Sequence, residues 1–194
     1  MNALDPSRTA LLVMDFQADI IGRIGEKAGP LLERASSVLA AARQAHVQII
    51  YVVVGFRPGY PEASPRNASF AAIAKTGRFV TTTPGSDIVP ALKPAESDLV
   101  VLKHRVSAFA GTDLDMILRA KGIDTLVLTG IATSGVILST VRHGADADYQ
   151  LVVVKDACAD ADDEVHRVLT EKVFARQATV VSASEVAAAL QAKA

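Results

Sequence analysis

Residues 9 to 15 read T-A-L-L-V-M-D. A continuous apolar run of this length that closes on an acid indicates a strand buried on both faces of a parallel sheet. Five further runs repeat the pattern, and they cover residues 47–54, 98–103, 124–130, 150–156 and 178–182. The sequence therefore predicts a parallel sheet of about six strands.

Apolar residues at helical spacing separate most of these runs, the clearest set being Leu31, Leu32, Ala35, Val38, Leu39 and Ala42. Thr112 with Asp115, and Ser182 with Glu185, have the spacing of a capping box and predict two helix starts. Strand and helix thus alternate, which predicts a Rossmann-like α/β fold with helices on both faces of the sheet. Ligands of such sheets bind outside the carboxyl ends of the strands.

Composition narrows the range of partners. Twenty basic and twenty-one acidic residues leave a net charge of −1, so no overall field favours nucleic acid or an anionic membrane. We expect neither partner. No run approaches the ~18 apolar residues of a membrane span, the first residues lack the pattern of a signal peptide, and Cys158 has no second cysteine to pair with. These features predict a single cytoplasmic domain over residues 1–194.

The segment between the second and third predicted strands breaks the alternation, because six of the eight prolines lie there. A long irregular segment in a compact domain is commonly an ordered binding loop. Its polar residues are candidate substrate contacts, since an arginine fork suits a carboxylate. They are Arg57, Tyr60, Arg66 and Asn67, and for each of them a solvated loop position is the alternative.

Two charged residues end predicted strands. Asp15 closes the first and Lys103 closes the third. Each alone is compatible with an ordinary turn or surface residue. If the two strands are neighbours, as we expect, the opposite charges meet at one edge of the sheet and tune each other's pKa. Together they predict a site for proton transfer.

Residues 129 to 136, T-G-I-A-T-S-G-V, lead from the fourth strand into a helix, so their backbone N–H groups could face a developing oxyanion. A Walker loop is excluded, because Val136 and Ile137 stand where lysine and serine or threonine are needed, and no G-x-G-x-x-G is present. Ser134 does not lie in G-x-S-x-G, and we interpret it as a helix N-cap.

The remaining reactive side chains give weaker signals. The four histidines, at positions 46, 104, 143 and 166, show no metal-ligand spacing, so no metal or other cofactor is expected. Cys158 follows the fifth predicted strand. A buried, inert thiol is the favoured interpretation there, with a reactive thiol as the alternative.

Several of these stretches together resemble the isochorismatase-like, or cysteine hydrolase, family. They are V-M-D-F-Q (13–17), L-K-H-R-V-S-A-F-A-G-T-D-L-D-M-I-L-R-A-K-G-I-D-T-L-V-L-T-G-I-A-T (102–133), V-V-V-K-D-A-C-A-D (152–160) and D-D-E-V-H (162–166). The resemblance implies a Rossmann-like sheet, a homodimer or higher homo-oligomer, and a site formed by an aspartate, a lysine and a cysteine. Asp15 and Lys103 match the first two.

Val136 occupies the position at which most members of that family have the nucleophilic cysteine. By the same resemblance, Ile131, Ala132, Thr133 and Gly135 would border the substrate, and the peptide between Ile131 and Ala132 would be cis. Cysteine-dependent members hydrolyse amides through a thioester, which valine cannot form. By the same resemblance, true isochorismatases have glycine at this position and work by acid catalysis without a covalent intermediate.

Three functional hypotheses follow. The first is a metal-free, non-covalent hydrolase of a small carboxylated metabolite, with Asp15 as general acid and Lys103 as its partner, acting on a vinyl ether as isochorismatases do. The second is a catalytically silent member of the family that binds a metabolite or a protein partner. The third is an amidase that uses Cys158 as nucleophile.

Overall fold

The computed structural model describes residues 1–192 of the chain. Six strands form one parallel sheet with the order β3-β2-β1-β4-β5-β6. Their bounds are β1 Thr9–Met14, β2 Gln48–Val54, β3 Leu99–Lys103, β4 Thr125–Ile131, β5 Gln150–Ala159 and β6 Thr179–Val181. The predicted α/β class and parallel sheet are confirmed.

Seven α-helices connect or flank the strands in the described part of the chain. They are α1 Ala18–Ile21, α2 Ala28–Gln44, α3 Ala68–Ala74, α4 Leu114–Ala120, α5 Leu138–Asp146, α6 Asp163–Val168 and α7 Ala183–Gln191. Helices α2 and α7 cover one face of the sheet, and α4 and α5 cover the other. Both faces are therefore buried, as the apolar runs require.

The first strand shows how sequence produces this layering. All six of its residues are buried. Successive side chains of a strand point to opposite faces, so Leu11 and Val13 join the cluster under α2 and α7 while Leu12 and Met14 join the cluster under α4 and α5. Strand order reverses between β1 and β4, which is the point where α/β sheets open a crevice for ligands.

Local predictions had mixed outcomes. The Ser182 capping box is present and starts α7. The one at Thr112 is wrong: its hydroxyl donates back to the carbonyl of Ala108, and the Asp115 carboxylate bonds Arg119 and Tyr149 instead. The proline-rich segment is an ordered excursion that includes α3.

The edge strand β3 differs from the central strands. Its side chains alternate between the core and solvent, with Val101 and Lys103 buried and Val100 and Leu102 exposed by 54% and 43%. Its pairing with β2 places Lys103 opposite Val54. This register turns the lysine inward at the carboxyl end of the sheet.

No helix within residues 1–192 is both long enough and apolar enough to cross a membrane.

Candidate active site

Asp15 and Lys103 meet at the carboxyl end of the sheet. The Nζ atom of Lys103 lies 2.9 Å from Oδ2 of Asp15, and the two side chains are only 3% and 7% exposed. The expectation that their strands are neighbours is wrong, because β2 lies between β1 and β3. The four-carbon stem of the lysine spans the intervening strand, so the pair forms without direct strand contact.

The aspartate is only half satisfied. Its Oδ1 atom is buried and has no hydrogen-bond partner among the described residues. Burial raises the pKa of Asp15, and the attraction of the Lys103 ammonium opposes that rise without cancelling it. The lysine also donates to the carbonyl of Arg105 at 3.2 Å. The result is a carboxyl group that is held in place and has one free oxygen.

The backbone under Asp15 is fixed from both sides. Asp15 has φ of 59°, a left-handed conformation that aspartate tolerates better than most residues, and its N–H donates to Val52 O at 2.8 Å. Met14 pairs with Gly130 of β4. A Cβ atom at position 130 would lie 2.5 Å from Met14 O, so only glycine allows β4 to approach the end of β1 this closely.

The turn after β4 completes this corner of the molecule. The peptide between Ile131 and Ala132 is cis, as predicted. Val136 is 2% exposed and lies in the apolar cluster under α4 and α5, in a π-helical turn that spans Thr133–Ile137. A Cβ atom on Gly135 would lie 4.0 Å from Val106, so the turn borders the segment that follows Lys103. A hydrocarbon therefore occupies the position predicted for the nucleophile.

The backbone amides of this turn are less available than predicted. The N–H of Ser134 donates to the Asp160 carboxylate at 2.7 Å, and those of Gly135 and Ile137 donate to the carbonyl of Ala132. These three amides already have acceptors, so they do not form an open oxyanion cradle. The helical turn begins after Ala132, and the interpretation of Ser134 as N-cap is wrong.

Three residues that were not among the predicted site residues organise the site. Gln17 is buried and bonds both backbone groups of Val54 at 2.9 Å and the carbonyl of Ser86 at 2.8 Å, which ties β1, β2 and the proline-rich excursion together. Asp160 holds the turn after β4, and His166 Nδ1 lies 2.8 Å from Thr133 Oγ1. All three residues lie in the stretches that carry the family resemblance, and that was the signal that could have identified them.

The four candidate contacts on the excursion have other partners. Arg57 is 72% exposed and pairs with Glu62 at 2.6 Å, and the Tyr60 hydroxyl donates to Arg78 O at 2.6 Å. Asn67 caps α3 by accepting from the N–H of Phe70, and Arg66 is exposed. The structure does not bring these side chains into contact with Asp15 or Lys103.

Cys158 lies inside β5 and not after it, because the strand continues to Ala159. It pairs with Gly130 across a register shift, and its Sγ atom lies 3.8 Å from Leu128 O. Burial raises the pKa of this thiol to about 12. At neutral pH the side chain is a neutral thiol, which argues against a cysteine nucleophile at this position.

Within residues 1–192, histidine, cysteine, aspartate and glutamate side chains do not gather in groups of three or more that could hold a metal ion. The charged side chains that the structure places together at the site are Asp15 and Lys103.

The chain is similar to known proteins over most of its length. The Isochorismatase domain model matches residues 9–185. The chain belongs to the isochorismatase family. The predictions that the chain is a member of this family and that it is an isochorismatase-like hydrolase are confirmed. One relative is the uncharacterized isochorismatase family protein YecD of Escherichia coli O157:H7, which is 33% identical over 98% of this chain and 100% of its own length.

Two further similarities concern named hydrolases. A ureidoacrylate amidohydrolase RutB of Methylorubrum extorquens is 35% identical over 82% of this chain and 73% of its own. The crystal structure of a cysteine hydrolase from Pseudomonas syringae pv. phaseolicola 1448A superposes with a TM-score of 0.90 at 25% identity, covering 97% of this chain and 94% of the other. The sheet and its helices are therefore those of isochorismatase-family hydrolases.

Proposed function

We propose that this protein hydrolyses a small carboxylated metabolite by non-covalent acid catalysis, with Asp15 as proton donor and Lys103 as the residue that orients it. One observation carries the proposal: Oδ2 of Asp15 is held by Lys103 at 2.9 Å while the buried Oδ1 has no partner among the described residues. A raised pKa favours the protonated carboxyl, and the free oxygen is the place where that proton is available to a substrate.

Vinyl-ether hydrolysis is the reaction that best fits these groups. Asp15 transfers its proton to the methylene carbon, which gives an oxocarbenium ion whose positive charge is shared between the neighbouring carbon and the ether oxygen. Water adds to that cation and returns a proton to the Asp15 carboxylate. The hemiketal then separates into an alcohol and a ketone. No step requires a nucleophile at position 136, where the side chain is a buried valine.

Hydrolysis of an amide or ureido bond is the second candidate, and the similarity to a ureidoacrylate amidohydrolase favours it. The nucleophile would have to be water, because Val136 cannot attack and the buried Cys158 thiol is neutral at ordinary pH. Asp15 would then act first as a base. The third candidate, a silent binder, rests on the missing nucleophile alone.

Asp15→Asn tests the proposal. The amide keeps the shape of the side chain but cannot supply the acid, so we expect turnover to fall by ~10²-fold or more with substrate binding retained. The assay measures wild type and variant on isochorismate, on further vinyl ethers and on small amides that include 3-ureidoacrylate.

Each outcome of that assay decides one point. Turnover unchanged by Asp15→Asn eliminates Asp15 as acid. Turnover confined to amides replaces the vinyl-ether reaction by the second candidate. An acyl-enzyme trapped by mass spectrometry contradicts the non-covalent route. A wild type that binds these compounds but converts none supports the silent binder.

A further inference from the structure

A second group of charged residues borders the site and takes no part in the proton transfer described above. Immediately after Lys103 the chain forms one wall of an open cavity of about 530 Å³, which is lined by Pro61, Glu62, His104, Arg105, Ala110 and Gly111. The Lys103 ammonium donates to the carbonyl of Arg105. Arg105 therefore contacts the proposed catalytic pair through its backbone carbonyl and also lines the cavity.

Two backbone carbonyls and an aromatic ring contact the Arg105 side chain in this wall. Its Nη1 atom donates to the carbonyls of Glu62 at 3.1 Å and His104 at 2.6 Å, and its guanidinium lies 5.6 Å from the centre of the Phe70 ring. Within residues 1–192 it has no carboxylate partner inside 4.0 Å. A guanidinium carries five donors, and within the described residues only Nη1 of Arg105 has acceptors, so Nε and Nη2 are left without one. Such a fork binds both oxygens of a carboxylate.

Glu62 supplies a hydrogen-bond acceptor, in contrast to the donors of Arg105. One of its oxygens, Oε1, pairs with Arg57 at 2.6 Å. Burial acts to raise the pKa of Glu62, but nearby backbone N–H groups and the charges of His104 and Arg57 lower it overall, which favours the ionised carboxylate. The other, Oε2, is buried and has no partner in the described part of the chain. An ionised carboxylate can only accept hydrogen bonds, so this oxygen lacks a donor. Leaving it unpaired costs free energy that a ligand N–H or O–H would recover.

We propose that this cavity is the substrate-recognition subsite, in which Arg105 binds the carboxylate of the substrate and Glu62 accepts from an N–H or O–H donor on it. The inference rests on the proposed function, because it places the substrate of that reaction. It also names the substrate class, a small molecule with both a carboxylate and a hydrogen-bond donor. Arg105 replaces Arg57 and Arg66 as the cation that recognises the substrate.

Binding to a catalytically arrested protein tests the subsite independently of turnover. In the Asp15→Asn background, calorimetry measures the affinity for 3-ureidoacrylate, for isochorismate, and for 3-ureidoacrylamide, in which the carboxylate is an amide. We expect the carboxylate to bind more tightly than its amide, and Arg105→Lys to reduce that preference by ~10-fold or more, because an ammonium lacks the fork. A merely structural Arg105 would weaken both ligands alike.

Two matched variants complete the design. Arg119→Lys makes the same change at an arginine that also lies over an aromatic ring, 5.9 Å from Tyr149, but on α4, away from the cavity. It should leave the preference unchanged. Glu62→Gln should lower the affinity for 3-ureidoacrylate more than the affinity for 2-butenoate, in which a methyl group replaces the ureido group. If Asp15→Asn fails to fold because Lys103 is left unpaired, the double variant with Lys103→Met removes both charges and serves as the background.

The outcomes separate this inference from the proposed function. A carboxylate preference that survives Arg105→Lys, or no binding of either carboxylate at millimolar concentration, overturns the subsite. If Asp15→Asn abolishes turnover while Arg105→Lys leaves the preference intact, the function stands and the subsite falls. If Arg105→Lys removes the preference in a protein whose wild type converts none of the compounds, the subsite stands and the catalytic role falls.

Discussion

Two strand ends of one sheet carry buried polar side chains, and they differ in how those side chains are satisfied. At the end of β1, Asp15 has one oxygen on Lys103 and one oxygen free of any partner within residues 1–192. At the end of β5, the Cys158 thiol lies against a carbonyl, and the Asp160 carboxylate accepts from the N–H of Ser134. Both ends border the turn after β4, but only the end of β1 has a buried polar atom without a hydrogen-bond partner in the described residues.

The difference indicates that the end of β1 has a catalytic role and the end of β5 a structural one. An unpaired buried oxygen costs stability and is kept where a substrate can use it, whereas fully paired groups stabilise a fixed geometry. Burial acts on both ends in the same direction, since it raises the pKa of Asp15 and of Cys158. For the carboxyl that rise retains a proton to donate, and for the thiol it removes the nucleophile.

The largest effect should come from removing the charge that holds Asp15. Lys103→Met leaves the carboxylate buried without a cation, which should lower the free energy of unfolding by about 3 kcal/mol or more at neutral pH and impair turnover. The loss should shrink as the pH is lowered, because burial raises the pKa of Asp15 and its protonated form needs no cation beside it. Urea unfolding at several pH values measures it, and a loss that does not depend on pH would contradict the ionised pair.

A smaller effect is expected from Gly130→Ala. The new Cβ atom would lie 2.5 Å from Met14 O, so β1 and β4 must separate next to Asp15, at a cost of about 1–3 kcal/mol. Gly29→Ala is the matched control: it lies on α2 with nothing within 4 Å of its Cβ and should stabilise the helix slightly. Thermal unfolding of both variants checks the prediction, and equal midpoints would show that the close approach is not needed.

The pH dependence should identify the first strand end as the acid. The pKa of Asp15 is raised above 3.8, so the fold favours its protonated form. Its contribution to stability is therefore complete below 3.8 and is lost as the pH rises through the folded-state pKa. Turnover should fall over the same interval, because the acid form is consumed. A rate that increases as the pH rises through this interval would indicate that Asp15 acts as a base.

The smallest effect on turnover should come from the second strand end. Cys158→Ser keeps a small side chain beside Leu128 O and should leave any activity within about twofold, since a thiol with a pKa of about 12 supplies no thiolate. Iodoacetamide should not label the folded protein at neutral pH. Stoichiometric inactivation by that reagent, with protection by substrate, would instead restore the cysteine mechanism.

Sequence predicted the fold well because its signal is local. Each central strand is an unbroken apolar run, and the run ending at Asp15 coincides with β1. Polar partners were predicted less well, since they depend on distant segments. Nothing near position 105 indicates that its guanidinium lies on Phe70, and the spacing of Thr112 and Asp115 does not reveal that Tyr149 binds the aspartate.

The site residues divide in the same way. Asp15 and Lys103 were predicted from strand ends and from the family resemblance, although the order of their strands was not. Arg57, Tyr60 and Asn67 were chosen for their residue type, and the excursion uses them for an ion pair, a carbonyl contact and a helix cap. Residue type in a loop indicates what a side chain can bind and leaves open what it does bind.

Because side chains alternate along β3, the register of this strand decides which residue faces Asp15. Lys103 faces inward only because it is paired with Val54, while its neighbour Leu102 is turned to solvent. A slip of one residue would exchange them, placing a hydrocarbon beside Asp15 and the ammonium in water. An insertion or deletion of one residue within β3 would therefore erase the ion pair without replacing either of its members. The pairing frame of this edge strand specifies the site as directly as the identities of the two charged residues.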